Sequence, residues 1–170
     1  MTKTTAIVGS GIFAVIAPGM VAGIVPWWIS RWKLQPPFLH FYGFRVIGTI
    51  LILASLPVLL DSFARFALQG IGTPAPVLPT RHLVVTGLYR YVRNPMYLAV
   101  IGLIAGQALL LGNRALLLYG MVVWLAFQTF VILYEEPVLR KTYAAEYEEF
   151  CLNVPRWIPR LSAWNPPRSR

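Results

Sequence analysis

Two clusters of polar side chains interrupt an otherwise apolar sequence, and both contain residue types that bind charged small molecules. The first cluster is Tyr-Arg-Tyr-Val-Arg-Asn-Pro-Met-Tyr over residues 89–97, and the second is the pair Glu135-Glu136. Arginine pairs bidentately with carboxylates, glutamate pairs with ammonium groups, and aromatic rings attract cations at their faces. Together the clusters have the residue types needed to bind a small molecule that carries both charges.

Two uncharged segments predict that these clusters meet in the folded chain. Residues 94–113 and 115–134 contain no charged side chain, and the sequence Gly-Asn-Arg at 112–114 is typical of a tight turn. At helical rise, the arms of such a hairpin measure roughly 24 Å from the turn to Tyr97 and 33 Å from the turn to Glu135. We therefore expect both clusters at one membrane face, with Glu135 about two turns beyond Tyr97.

The same residues also have simpler interpretations. Arg90 and Arg93 could act only as charges that set membrane orientation, the tyrosines could form an interfacial belt, and the glutamates could be solvated at a helix end. One feature favours a site, because the helix dipole disfavours acidic residues at a helix C-terminus. The pair Glu135-Glu136 therefore indicates a cationic partner, either Arg93 or a ligand.

The composition of the chain is that of a membrane protein. Hydrophobic residues make up 57% and charged residues 12% of the sequence, with a mean hydropathy of +0.62, whereas soluble domains carry about 25% charge. The net charge of +9 comes from basic residues placed between apolar runs, which indicates membrane topology and anionic lipids rather than nucleic acid. The single Cys151 and the separated His40 and His82 predict neither an internal disulfide nor a metal site.

We predict an all-α membrane bundle that forms a single domain over residues 1–170. The first span is expected to bend near Pro18-Gly19, and the segment from Gly70 to Pro79 is expected to be a loop because of its prolines and glycines. Gln107 and Gln128 are expected to join helices by hydrogen bonds. The four transmembrane helices are predicted at about residues 5–29, 42–60, 95–112 and 115–134.

The remaining chain, 135–170, is predicted to be a cytoplasmic segment that contains an interfacial amphipathic helix. Tyr143, Tyr147 and Phe150 recur at helical spacing. With four spans, eleven of the fifteen lysines and arginines fall on the side that holds both termini. The positive-inside rule therefore predicts cytoplasmic termini, in a membrane such as a bacterial inner membrane. After the second predicted span, Asp61 is expected to pair with Arg65 four residues later.

The motif-bearing half of the chain resembles a known superfamily of membrane enzymes. The run from Gly87 to Tyr97 resembles the signature Gly-x-Tyr-x-x-x-Arg-His-Pro-x-Tyr of isoprenylcysteine carboxyl methyltransferases and phospholipid methyltransferases. Residues 134–139 (Tyr-Glu-Glu-Pro-Val-Leu), followed by Glu146-Tyr147 and Val154-Pro155, resemble the second motif and the tail of these families. The resemblance covers about residues 80–159, and the N-terminal half matches only as generic hydrophobic spans.

The resemblance implies a methyltransferase that binds S-adenosylmethionine at the cytoplasmic ends of the last helices, under the C-terminal segment. Asn94 stands where the family signature has His. Asn keeps a hydrogen-bond donor and an acceptor but does not titrate near neutral pH. The resemblance implies that the cofactor is bound by Tyr89, Arg93, Asn94, Pro95, Tyr97, Glu135 and Glu136, of which Arg93 and Glu135 are the catalytic candidates.

Several functions remain open at this point. The leading one is methyl transfer to a lipophilic acceptor that enters from the bilayer, with membrane lipids as the surrounding partners. A carboxylate acceptor, as on a prenylated cysteine, is already nucleophilic at neutral pH, whereas a phospholipid amine must first lose a proton. The alternatives of another class are a nicotinamide-dependent membrane reductase, which the short chain disfavours, and a non-catalytic membrane subunit, which the intact motifs disfavour.

Overall fold

The computed structural model describes residues 18–65, 83 and 85–165, and within these residues the chain is helical without strands. The all-helical class predicted from the sequence is therefore confirmed. Several predictions concern residues outside the described ones: the start of the first span, the loop from Gly70 to Pro79 and the end of the basic tail.

The described residues form five α-helices and two π-helical turns. A π turn, Met20–Ile24, leads into the first short helix, and a second π turn, Val131–Glu135, joins the fourth helix to the fifth without a break. Short 3-10 turns lie at Phe38–His40 and Gly87–Arg90. The α-helices are α1 (Val25–Ser30), α2 (Gly43–Arg65), α3 (Pro95–Leu111), α4 (Arg114–Phe130) and α5 (Glu136–Asn153).

Two of the described helices are long and apolar enough to cross a membrane. They are Gly43–Arg65 and the helical stretch Arg114–Asn153, while Met20–Ser30 and Pro95–Leu111 are apolar but shorter. Large apolar side chains of α2, such as Leu53 at 67% exposure, point away from the protein. A lipid environment would cover them. The length criterion thus supports two of the four predicted spans.

Helices α2 and α3 pack closely because small residues line their contact. Gly102 and Gly106, four residues apart on α3, face Ser55 and Gly48 of α2, respectively. A Cβ atom on Gly106 would lie 2.8 Å from the carbonyl oxygen of Gly48 and 2.7 Å from a carbon of Ile52. Small residues at this spacing let membrane helices approach closely and gain van der Waals contact.

The first π turn is fastened to the hairpin of α3 and α4 by two side chains. Gln107 Nε2 donates a hydrogen bond to the carbonyl oxygen of Ala22 at 2.7 Å, and the Tyr119 hydroxyl donates to the carbonyl oxygen of Val21 at 2.8 Å. The expectation that Gln107 joins two helices is confirmed. The π turn begins directly after Pro18-Gly19, where the sequence predicted a bend.

The packing of α2 on α3 predicts opposite effects for one substitution at two glycines. Gly106→Ala should destabilise the protein by about 1–3 kcal/mol, because the methyl group would overlap backbone and side-chain atoms of α2. Gly23→Ala is the matched control, since a Cβ there meets nothing within 4 Å, and alanine favours the helix by about 1 kcal/mol. Unfolding midpoints in detergent test this difference, and equal midpoints for both variants would contradict the packing.

Candidate functional site

We call residues 87–94, which precede α3 and carry most of the first polar cluster, the motif loop. It is held against the end of α2. Gly87 has a φ of +54°, and the Arg65 guanidinium occupies the space that a side chain at Gly87 would need. Arg65 Nε donates to Asp61 Oδ2 at 2.7 Å, which confirms the predicted pair. The left-handed backbone favours glycine at the first position of the motif.

The buried side chain of Tyr89 also connects the motif loop to α2. Its side chain is 7% exposed, and its hydroxyl is hydrogen-bonded to Ser62. Burial raises the pKa of the Tyr89 phenol well above its usual value, so the hydroxyl stays protonated at neutral pH. Tyr89 therefore contributes a neutral, buried anchor to the site that was predicted around it.

The centre of the site is a buried carboxylate that is surrounded by arginines. Glu136 is 3% exposed, and its Oε1 accepts hydrogen bonds from Arg93 Nη1 at 3.1 Å and from Arg156 Nε at 2.6 Å. Arg156 Nη2 also donates to Glu136 Oε2 at 3.0 Å, and Arg140 Nη2 lies 3.9 Å from the same oxygen. These hydrogen bonds raise the pKa of the Arg156 guanidinium.

Arg93, one of the two cationic partners expected for the glutamate pair, does contact Glu136, although one step of that prediction was wrong. Glu135 ends the second π turn and Glu136 begins α5 inside one continuous helix, so neither residue lies at a helix C-terminus. The charge pairing has another cause, which is the burial of Glu136. A carboxylate removed from water requires cations and hydrogen-bond donors around it.

Glu135 meets the first cluster at a second point. The Tyr97 hydroxyl donates to Glu135 Oε2 at 2.9 Å, and the Tyr97 ring lies against Phe127, with 4.6 Å between centroids. The Trp157 ring is also close to the Tyr97 ring, with 6.5 Å between their centroids.

The chain after α5 forms a strap over the motif loop. Three backbone amides join these segments, since Arg93 N donates to Pro155 O, Arg160 N donates to Tyr91 O and Trp164 N donates to Arg90 O, each at 2.9 Å. We call residues 154–165 the C-terminal strap. It covers the first cluster and brings Arg156 and Trp157 into the site.

Side chains fix the strap further. Trp157 Nε1 donates to Gln128 Oε1 at 2.5 Å, and Arg90 Nε donates to Trp164 O at 2.8 Å. The Gln128 contact satisfies the expectation of a hydrogen bond to another segment, but the partner is the strap rather than a helix. Trp157 is thereby held beside the Tyr97 ring.

Asn94 is buried at the start of α3. Its side chain is 7% exposed, and its Nδ2 donates to the carbonyl oxygen of Arg156 at 3.2 Å. Pro95 occupies the first turn of α3, where a missing amide hydrogen costs nothing. The side-chain amide of Asn94 thus joins the motif loop to the strap by a hydrogen bond, which needs no titrating group.

Five of the seven predicted residues contact one another or the strap, and they are Arg93, Asn94, Tyr97, Glu135 and Glu136. Pro95 begins α3 next to Asn94, and Tyr89, which is hydrogen-bonded to Ser62 of α2, also interacts electrostatically with Glu135 and Tyr97. Sequence reasoning missed Arg156, Trp157 and Cys151, whose Sγ accepts a hydrogen bond from Arg93 Nη1 at 2.8 Å. The only sequence signal for the first two was the tail motif that they adjoin. Arg93 Nε is buried without a hydrogen-bond partner among the described residues.

The apolar face of α5 packs on protein. Tyr147 and Phe150 are each 3% exposed and form a cluster with Val154 at the start of the strap. Leu83, Val85 and Trp164 pack against this cluster. The helix predicted from this spacing is present, but the expectation that its apolar face lies on the membrane interface is wrong, because Tyr147 and Phe150 are buried against protein.

An apolar cavity of about 230 Å³ lies beside the motif loop, between α2 and α3. Its walls include Val58 and Leu98 from the two helices, Leu88 and Val92 from the loop, and Pro159 from the strap. The cavity has space for part of a hydrocarbon chain.

Comparison with known proteins adds a family to this geometry. The family described as phospholipid methyltransferase matches residues 44–146, which is more than half of the 170 residues. The chain belongs to the phospholipid methyltransferase family. The matched region contains α2, the motif loop, the hairpin and both site glutamates, and it ends before the strap.

A named relative within the wider superfamily is the protein-S-isoprenylcysteine O-methyltransferase of Schizosaccharomyces pombe. It is 38% identical over 82 residues, which cover 47% of this chain and 34% of that protein. The chain thus spans about a third of the length of this relative. No solved structure gives a significant match.

The burial of Glu136 between arginines predicts that it stabilises the protein more than an exposed glutamate does. Glu136→Gln should lower the free energy of unfolding by roughly 1–3 kcal/mol, because the partly exposed Arg93 and Arg156 lose charge-assisted hydrogen bonds to a buried carboxylate. Glu148→Gln removes the same charge from an exposed pair with Arg140 and should cost about 0–1 kcal/mol. Denaturant unfolding in detergent measures both, and a small effect at Glu136 would show that the network is not structural.

Proposed function

We propose that this protein transfers a methyl group from S-adenosylmethionine to a lipophilic acceptor, in the manner of isoprenylcysteine carboxyl methyltransferases. One observation carries the proposal: the two clusters that resemble the family motifs meet through the Arg93–Glu136 and Tyr97–Glu135 contacts. Membership of the phospholipid methyltransferase family supports methyl transfer as the reaction.

The donor set at the site fits the charges of S-adenosylmethionine. Arg93 has a buried Nε without a partner among the described residues, and a carboxylate is a suitable acceptor for it. Glu135 accepts from Tyr97 at one oxygen and keeps capacity to pair with an ammonium group. The Tyr97 and Trp157 rings offer faces that attract a sulfonium. In this proposal Glu136 acts by holding Arg93 in position.

The chain's own contribution to catalysis would be positioning and exclusion of water. When bound, S-adenosylmethionine supplies a methyl group that its sulfonium already activates. The strap covers the motif loop through backbone hydrogen bonds, and Trp157 closes the side next to Tyr97. Holding reactants in line in a dry site accelerates a displacement without any metal or titrating base. Asn94 is sufficient in this scheme, since it needs only to hydrogen-bond.

The acceptor is proposed to be a carboxylate on a lipid-like molecule. The apolar cavity beside the motif loop supports a hydrocarbon substituent, and the exposed apolar side chains of α2 support entry from the bilayer. A carboxylate is ionised at neutral pH and needs no base. The basic residues on the side of the motif loop support a cytoplasmic site.

A phospholipid amine is the second candidate acceptor, favoured by the description of the matching family. An amine must lose a proton before it attacks, and Glu135 is the carboxylate nearest to Tyr97 that could take it. A nicotinamide-dependent reductase and a non-catalytic subunit remain the alternatives of another class. Both predict that the protein does not bind S-adenosylmethionine.

Binding of S-adenosylmethionine to the full chain in detergent is the decisive measurement. Calorimetry should show binding by the wild type and roughly 10-fold to 100-fold weaker binding by Arg93→Ala and Glu135→Gln, since each loses a charge-assisted hydrogen bond of about 1.5–3 kcal/mol. Glu146→Gln, which changes an exposed glutamate of α5, should bind like the wild type. A folded wild type that binds NADPH instead would replace this proposal with the reductase.

The acceptor class can be separated by pH. Methylation of a prenylated cysteine carboxylate should change little between pH 6 and 9, roughly, because the acceptor is already ionised in this range. Methylation of phosphatidylethanolamine should rise with pH as the amine loses its proton. Radiolabelled methyl incorporation into each lipid measures both profiles, and activity on the amine alone would make the second candidate correct.

A further inference from the structure

The end of the bundle opposite the motif loop carries only basic charges. Of the six acidic residues in the chain, the first is Asp61 near the end of α2, and the other five lie at or after Glu135. All of them belong to the end that carries the candidate site. The opposite end, where α1 and α3 finish and α2 and α4 begin, contains Arg31, Lys33, His40, Arg45 and Arg114.

Two of these cations are held by groups that do not neutralise them. The Arg31 guanidinium lies over the Trp27 ring, 4.8 Å from its centroid. Arg45 Nη2 donates to the carbonyl oxygen of Gln35 at 2.9 Å, while its Nε is buried and unpartnered among the described residues. Among the described residues, Arg31 and Arg45 are therefore held in place without a carboxylate that neutralises them.

Arg114 is in a position that calls for an anion. It is the first residue of α4, where the helix dipole is positive and a cation is disfavoured. Within the described part of the chain, neither Arg114 nor Lys33 has an ion pair or a side-chain hydrogen bond. An anion at this place would interact favourably with Arg114 and with the helix dipole together.

A cavity of about 730 Å³ lies next to Arg114. One wall is the loop from Gln35 to His40, and the other is the turn from Gly112 to Ala115. The two walls are fastened together, because Gln35 N donates to the carbonyl oxygen of Leu111 at 2.9 Å. The polar side chains that line the cavity are Gln35, His40, Asn113 and Arg114.

The turn is built to keep its shape. Gly112 has a φ of +69°, and the backbone of Pro36 occupies the space that a side chain at Gly112 would need. Asn113, which is 5% exposed, caps α4 by accepting a hydrogen bond from Leu116 N at 3.1 Å. The cavity is thus formed before any ligand binds, which reduces the entropic cost of binding.

Exposed aromatic side chains mark this end as the level of lipid headgroups. Trp28 is 66% exposed, Trp32 58%, Phe41 61% and Tyr42 68%. Exposed tryptophan and tyrosine at the ends of apolar helices are typical of the membrane interface. The neighbouring cations therefore face the phosphate layer of a bilayer.

We propose that this cavity binds the phosphate-bearing headgroup of an anionic phospholipid, with Arg114 and His40 at the phosphate and Lys33 and Arg45 adding to the positive potential. A phospholipid headgroup and free phosphate both present a phosphate anion to these residues. The exposed aromatic side chains favour the lipid as the ligand. This proposal does not depend on methyl transfer, and its test does not measure it.

Native mass spectrometry of the full chain in detergent tests the proposal. Phosphatidylglycerol should bind more tightly than phosphatidylcholine with the same acyl chains. Arg114→Gln should weaken phosphatidylglycerol binding about fivefold, which corresponds to about 1 kcal/mol per cation near a membrane surface, and should leave phosphatidylcholine binding unchanged. Arg114→Lys should keep most of the preference. His40→Asn, at a left-handed position (φ +56°) that asparagine tolerates, should also weaken phosphatidylglycerol binding.

Lys141→Gln is the matched control, since it removes one exposed cation at the other end of the bundle, and it should retain the preference. Equal binding of the two lipids, or an equal loss in Lys141→Gln and Arg114→Gln, would overturn the proposal. Displacement of phosphatidylglycerol by millimolar inorganic phosphate would also overturn it, because the site would then bind free phosphate rather than a lipid.

Discussion

A buried carboxylate must be surrounded by cations, and in this protein that requirement falls on Glu136. Its partners come from separate parts of the chain: Arg93 from the motif loop, Arg156 from the strap and Arg140 from α5. Because removing a charge from water costs several kcal/mol, these segments gain most when they converge on one point. The backbone hydrogen bonds of the strap and the Tyr97–Glu135 hydrogen bond bring the same segments together.

The parts of the site that lie on the hairpin could be predicted from the sequence. Helical rise and a short turn determine which residues of two neighbouring helices share a level, and this arithmetic placed Arg93 beside the glutamate pair. The pairing of Asp61 with Arg65 follows from the same local geometry. The spacing of Gly102 and Gly106 was an equally readable signal for close helix packing, although it concerns the fold rather than the site.

The positions of the strap residues could not be predicted, because they depend on the path of the chain after Glu136, which no periodic pattern in the sequence indicates. Arg156 lies 20 residues from Glu136, and the path between them turns at a segment without helical or strand repeat. Ala144, inside α5, has a non-helical backbone (φ 43°, ψ −118°), which no pattern in the sequence indicates. The position of Trp157 on Tyr97 results from these turns, so it follows from tertiary packing rather than from local preference.

The π turn at Val131–Glu135 shifts the angular phase of a single long helix. A π turn closes its hydrogen bond over one residue more than an α turn, and one residue corresponds to about 100° of rotation about the helix axis. Before the turn, side chains such as Met121 and Leu125 are exposed, whereas directly after it Glu136 is buried. As far as the kink at Ala144, one helix thereby serves two environments, and the loss or gain of one residue in this turn would rotate the segment that carries Glu136 out of register with the apolar segment before it.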